Sequence, residues 1–300
     1  MAGRALIPFQ LTATLLLALL ATSHAGGIAI YWGQNTGEAT LSATCASRKY
    51  EFVILAFVFQ FGQGRAPKLD LSGHCDASSG GCAVLSSDIR SCQRRGVKVL
   101  LSIGGGAGNY GLSSPADARC YLGGSSSSRP LGDAVLDGID FDIELGSAKF
   151  WTTLPSKLAP QPACRCMLVS CAHGPQRHGQ ERRHGGAAER GAAVPVPDQW
   201  DGGAINTGLF DFVWVQFYNN PECQFSSGRS AFLDAWKQWE SVPAGKIFLG
   251  LPASKDAAGT GFVPAGQLTS QGSSKYGGVM LWSKFYDDRT GYSSAIKSHV

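Results

Sequence analysis

The segment DGIDFDIE, residues 137–144, packs four carboxylates between Ile139, Phe141 and Ile143. Side chains alternate along a strand, so Asp140, Asp142 and Glu144 share one face and the three apolar residues share the other. Asp137 is out of phase and belongs where the strand begins. Same-face neighbours on a strand stand about 6.5–7 Å apart. Three carboxylates so close cannot all ionise without cost, and at least one must keep its proton near neutral pH. A carboxylic acid that keeps its proton is what protonating a glycosidic oxygen requires. Glu144 ends the series and is the candidate general acid. Asp142 can share a proton with it and reach a substrate, and Asp140, the deepest, is the structural partner. Three carboxylates also suit Mg²⁺ or Ca²⁺, and a solvated edge strand can carry charge. The Ile/Phe/Ile face argues against an edge, and glycoside hydrolysis is the favoured chemistry.

Such a strand needs neighbours. Apolar runs rich in β-branched and aromatic residues recur at 26–33, 50–62, 97–106, 137–144, 210–218, 246–254 and 277–285. Near-continuous hydrophobicity indicates burial on both faces, as in a parallel sheet covered by helices. The spacings leave room for a crossover helix in most cases. The predicted fold class is therefore α/β, a (β/α)8 TIM barrel, in which active-site residues sit at the C-terminal ends of the strands. Its eighth strand must fall between 144 and 210, where CMLVSCA (166–172) is the one candidate. The run 173–195 after it is rich in Arg, His, Gly and Ala and cannot bury a face. The fifth strand/helix region, about 160–195, thus reads as atypical, a loop or disordered insert. The crossovers at 115–130 and 266–278 are short for a barrel.

Composition narrows the classes. The chain has 300 residues, only 16% of them charged, with a net charge of +4 and no Lys/Arg stripe interleaved with aromatics, which argues against nucleic acid as a partner. Residues 1–25 read as a signal peptide: Arg4, the apolar LTATLLLALLA (11–21), then SHA (23–25) before Gly26. No other run is long and apolar enough to span a membrane. Residues 26–300 are then a single secreted, soluble, monomeric domain, extracellular or vacuolar. Of the nine cysteines, Cys75 and Cys82 flank DASSGG and could close a small ring, and Cys45 and Cys92 could form a second bridge. CRC (164–166) has no Cys/His pair at zinc spacing. GGGAG (104–108) lacks the Lys-Ser/Thr of a phosphate loop. No metal or cofactor is expected.

DGIDFDIE fits the pattern D-x-x-D-x-D-x-E. Together with GGIAIYWGQN (26–35), SIGGG (102–106), INTGLFD (205–211), VQFYNNP (215–221) and GGVMLWSKFYD (277–287), it makes the chain resemble the plant class III chitinases of the hevamine type, in glycoside hydrolase family 18. The resemblance covers roughly 26–158 and 196–300. It implies a (β/α)8 barrel and retaining hydrolysis of chitin or a related N-acetylglucosamine polysaccharide, with lysozyme action and plant defence as companions. The substrate assists in this family. By resemblance, Glu144 protonates the leaving oxygen, Asp142 holds the acetamido N–H and Asp140 orients Asp142. Tyr218 bonds the acetamido oxygen, and Trp282 floors the subsite of the reacting sugar. Gln216 shares the parity of Tyr218 and faces the barrel interior, and Tyr31 and Phe57 line the cleft. Cys45–Cys92 and Cys75–Cys82 are bridges by the same resemblance, and Cys223 pairs with a cysteine after the fifth strand, Cys171 being nearest. Two alternatives stay open. One is an inactive carbohydrate-binding protein or xylanase inhibitor on this fold, against which the presence of Glu144, Asp142 and Tyr218 argues. The other is a misfolded product whose residues 160–195 come from a shifted reading frame or retained intron.

Overall fold

The computed structural model describes residues 26–63, 65–111, 129–145, 151, 201–268 and 273–300, and residues 164–170 by their backbone. The proposed signal peptide, residues 1–25, lies outside them, as do Cys171 and the run 173–195. In chain order the elements are β1 (Gly27–Trp32), α1 (Leu41–Ala46), β2 (Phe52–Gly62), β3 (Arg65–Leu69), α2 (Leu85–Arg94), β4 (Lys98–Gly104) and β5 (Asn109–Tyr110). Then come β6 (Gly138–Asp142), β7 (Cys164–Ser170), α3 (Gly202–Ile205), β8 (Phe212–Gln216), α4 (Arg229–Trp239), β9 (Lys246–Pro252), β10 (Tyr276–Trp282), α5 (Lys284–Thr290) and α6 (Tyr292–Ile296).

The apolar runs pair side by side because each is buried on both faces. Strands β1, β2, β4, β6, β7, β8, β9 and β10 follow one another round a closed ring, and β10 returns to β1. All eight junctions are parallel. This is the (β/α)8 barrel. Two short strands extend β2 above the ring: β3 antiparallel to it and β5 parallel to its far end.

The fifth barrel position is filled. β7 runs in register from Gly138↔Cys164 to Asp142↔Leu168 on one side, and from Cys166↔Phe212 to Ser170↔Gln216 on the other. The strand expected at 166–172 lies two residues earlier. The barrel is thus closed beside the carboxylate strand. In the crossover at 266–278 the described residues carry the 3-10 turn Ala265–Gln267 and the start of β10, and residues 269–272 lie outside them.

Strand alternation divides the interior into two cores. Ile139, Phe141 and Ile143 join the large outer cluster between strands and helices, where Phe141 meets the edge of Phe210 at 5.7 Å. The opposite parity makes a smaller inner cluster of Ala29, Tyr31, Ile54, Leu100, Trp214, Phe248 and Met280 among others. Asp140 and Asp142 point into this inner core. In α2, Leu85, Ile89 and Cys92 recur at helical spacing and are buried, and Cys92 is bridged to Cys45 of α1. That loop spans 47 residues, and chain entropy alone assigns such a link about 4 kcal/mol. Cys75 is bridged to Cys82.

The ring closes through glycine. Gly27 and Gly278 are paired across the β1–β10 seam, and Gly278 has φ +131°. A Cβ there would lie 1.9 Å from the Gly27 carbonyl oxygen. Gly278→Ala must part the seam or strain the backbone, and is expected to cost roughly 3 kcal/mol or more in urea unfolding. A loss below about 0.5 kcal/mol, the size of an ordinary surface substitution, would contradict this account of closure.

Candidate active site

The deepest carboxylate is also the best partnered. Asp140 has no exposed surface. Its Oδ2 accepts hydrogen bonds from the Tyr31 hydroxyl at 2.7 Å and the Ser102 hydroxyl at 2.6 Å, and its Oδ1 from the Trp214 indole N–H at 2.9 Å. The three donors come from β1, β4 and β8, and Ser102 is the register partner of Asp140 on the adjoining strand. Burial pushes the Asp140 carboxyl up to about 6, while the bonds from Ser102, Tyr31 and Trp214 pull it back down. Asp140 is thus fastened to three other strands. It acts on Asp142 through its charge, and its described hydrogen bonds go elsewhere.

Asp142 stands next on the same face and is 2% exposed. Burial, then the neighbouring charges of Glu144, Asp140 and Asp201, raise its proton affinity well above the usual carboxylate range. A hydrogen bond joins its carboxyl to that of Glu144. Its Oδ1 accepts no hydrogen bond among the described residues. Two like groups joined this way titrate as a pair, and one proton belongs to both.

Glu144 lies two residues beyond the last paired residue of β6 and is half-buried, so it meets the cleft. The turn after β4 is shaped around it. A Cβ on Gly104 would strike the Asp142 carbonyl oxygen at 1.8 Å, and one on Gly106 would reach the Glu144 carboxylate at 3.3 Å. The Gly105 N–H donates to that same Asp142 carbonyl at 2.7 Å. The run GGGAG is therefore a backbone wall that lets the acid approach.

Tyr218, just past β8, is buried; burial, then the Asp142 and Glu144 charges, raise its hydroxyl well above the usual phenol range, which keeps it a donor. Its Cα would be 2.5 Å from a Cβ on Gly261, so the loop after β9 presses on it from behind. Asn220 Nδ2 donates to the carbonyls of Tyr218 and Gln216, both at 2.9 Å. Gln216 is buried on the inner face, opposite Gly250. Three rings gather at the mouth: Tyr31 lies 6.0 Å from Phe57 and 5.5 Å from Trp282, and Phe57 and Trp282 stack at 5.9 Å. Trp282 is half-buried, leaving part of its surface open. The peptide bonds Ala56–Phe57 and Trp282–Ser283 are cis.

The structure thus brings Glu144, Asp142, Asp140, Tyr218, Gln216, Trp282, Tyr31 and Phe57 to one end of one barrel. The sequence reading missed Ser102, Trp214 and the buried Asp201, whose charge adds to the load on Asp142. The inward parity of Ser102 and Trp214 was available from their strands; Asp201 has no such signal, because it lies on no strand and only precedes the short helix α3. Cys223 is disulfide-bonded, to none of the four cysteines above; Cys171, its expected partner, lies outside the described residues. Among the described residues no cluster of three or more His, Cys, Asp or Glu could hold a metal ion.

The closed (β/α)8 barrel carries a hydrogen-bonded carboxylate pair at the C-terminal end of one strand, which is where enzymes of this fold hold their active sites. The family model for "Glycosyl hydrolases family 18" matches residues 27–272, and the chain belongs to that family. It is similar to an acidic endochitinase of Vitis vinifera, 53% identical over 304 residues, with 95% of each chain covered. Among solved structures it resembles a chitinase from Ipomoea carnea, 41% identical with a TM-score of 0.80, covering 92% of this chain and 100% of that one. It also resembles a xylanase and alpha-amylase inhibitor protein from Scadoxus multiflorus, 38% identical with a TM-score of 0.77, covering 92% and 99%.

The Asp140 environment sets a pH signature. Its carboxyl holds a proton to about pH 6 when folded, against about 3.9 in an unfolded chain. Between those values the native state binds more protons, so stability falls as pH rises through that window. Tyr31→Phe removes one donor to the ionised form, raises the native value, and should extend the falling region above pH 6. Urea unfolding at a series of pH values measures this; superimposable slopes for the two proteins would contradict it.

Proposed function

We propose that the protein is a secreted endochitinase that cuts β-1,4-N-acetylglucosamine linkages with help from the substrate's own acetamido group. The carrying observation is the hydrogen-bonded Asp142–Glu144 pair, which sets a proton at the mouth of the barrel. As a member of its family the protein is a glycosidase, and acetylated amino sugars suit the groups that surround the pair.

The sugar to be cleaved stacks on Trp282, with Tyr31 and Phe57 closing the apolar side. Glu144 in its acid form gives its proton to the glycosidic oxygen as the C1–O bond breaks. The acetamido oxygen of the same sugar attacks C1 and forms an oxazolinium ring, so no enzyme nucleophile is needed. Asp142 accepts the acetamido N–H and, as a carboxylate, offsets the positive charge of the ring. Its buried Oδ1, without a partner among the described residues, suits that role. Tyr218 donates to the acetamido oxygen and aligns it. The Glu144 carboxylate then takes a proton from water, whose oxygen bonds to C1 from the side the leaving group vacated as the ring's C1–O bond breaks and the acetamido group is restored, and configuration is retained.

Two disulfides among the described residues fit an oxidising compartment, which supports export with residues 1–25 as the signal peptide. No described helix is long and apolar enough to cross a membrane. The likeness to an inhibitor protein supports a second reading, in which the fold binds a partner and cuts nothing.

Hydrolysis of a chitin oligosaccharide separates the two readings. Glu144→Gln is expected to lower kcat by at least about 100-fold, the usual worth of a positioned acid, while oligosaccharide binding survives. Asp142→Asn is expected to lower kcat and move the alkaline limb of the rate profile to lower pH, because Glu144 loses the like charge that holds its proton. Full activity in Glu144→Gln overturns the assigned acid. A wild-type protein that binds the oligosaccharide without cutting it supports the second reading.

A further inference from the structure

The catalytic acid proposed above stands outside the sheet. The paired register of β6 ends at Asp142 on both sides, so no ladder carries the backbone as far as Glu144. The N–H groups of Glu144 and Leu145 both donate instead to one oxygen, the hydroxyl of Tyr110, at 3.0 and 3.1 Å. That hydroxyl spends its own proton on the Gly105 carbonyl at 2.9 Å. Gly105 is the residue whose N–H holds the Asp142 carbonyl. One phenol therefore joins the backbone of the acid to the glycine turn that walls it.

The phenol is itself held firmly. Tyr110 is buried and lies in β5, paired Phe61↔Tyr110 with β2. Its ring stacks on Phe61 with centroids 5.4 Å apart and planes 5° from parallel. Burial, followed among the raising causes by the Asp142 and Glu144 charges, keeps the phenol protonated, so the hydroxyl can serve as acceptor and donor together. The two-residue strand β5 brings the Tyr110 hydroxyl to the backbone just past the end of β6.

We propose that Tyr110 is a positioning residue for the acid: its hydroxyl fixes the Glu144–Leu145 backbone so that the Glu144 carboxyl stays against Asp142. The proposal rests on Glu144 being the acid. In this role Tyr110 acts through the Glu144–Leu145 backbone. A displacement near 1 Å from productive geometry costs about 100-fold in rate, and freeing this segment permits movement of that size.

The test compares wild type, Tyr110→Phe and Ile89→Val, the last a mild cut in the outer core far from the cleft. With a chitin oligosaccharide, Tyr110→Phe is expected to lower kcat by about 10- to 100-fold with KM within about threefold. Its alkaline limb should move to lower pH by about one unit, because a displaced Glu144 no longer shares a proton with Asp142. Ile89→Val should lower the melting temperature and leave kcat and the limb in place. A second measurement needs no variant: amide hydrogen exchange in the wild-type protein should show Glu144 and Leu145 strongly protected although they lie beyond the strand. Wild-type kcat and limb in folded Tyr110→Phe overturn the proposal, as does exchange at Glu144 and Leu145 as fast as at exposed loop amides. Retained activity in Glu144→Gln would instead remove the acid assignment, and the exchange result would still report on the clamp.

Discussion

Three carboxylates on one face of a strand, turned into a closed barrel, are the constraint that the rest of this structure serves. Burial penalises the charged form of each, and each charge penalises the next. The chain answers differently at each depth. Asp140, at the bottom, is surrounded by donors from three strands, which favour its ionised form against the burial. Asp142 has no comparable set of donors, and it shares a proton with Glu144 instead. Glu144, half-buried at the mouth, is where that proton can be delivered. The gradient from fastened carboxylate to shared proton to accessible acid runs along five residues of backbone.

The barrel is what makes the gradient possible. Parallel strands place Ser102 beside Asp140 through register alone, and closure brings Tyr31 and Trp214 in from β1 and β8. Removing any neighbour would leave a buried carboxylate without compensation, which costs far more than a surface ion pair contributes. This is why β7 matters to chemistry it does not perform: it continues the wall of the barrel beside β6. Glycines do the complementary work at Gly104, Gly106, Gly261 and Gly278, where backbone must come closer to backbone or to a carboxylate than any side chain permits.

Much of this was legible in the sequence, for a physical reason. Strand alternation has a period of two, so the type and order of residues in DGIDFDIE give the faces directly, and the other apolar runs give the remaining walls. Ile139, Phe141 and Ile143 lie outside and Asp140 and Asp142 inside, as alternation requires. The residues that escaped notice act across long sequence separations. Ser102 and Trp214 look like ordinary strand residues until the ring closes, and Tyr110 sits in a two-residue strand with no periodic signal. The fifth strand was faint because Cys164–Ser170 is followed by a run with no apolar pattern, so its boundary had nothing to mark it.

The central claim is that one proton is held between Asp142 and Glu144 in the free protein near neutral pH. Carbon-13 NMR of side-chain carboxyls, in protein labelled at Asp and Glu and assigned with single Asn and Gln replacements, follows that proton directly. The account predicts that Asp140 titrates near pH 6, and that the signals of Asp142 and Glu144 move together in two separated steps, the upper one well above the usual carboxylate range. Three independent titrations near pH 4, each as in an exposed side chain, would contradict it.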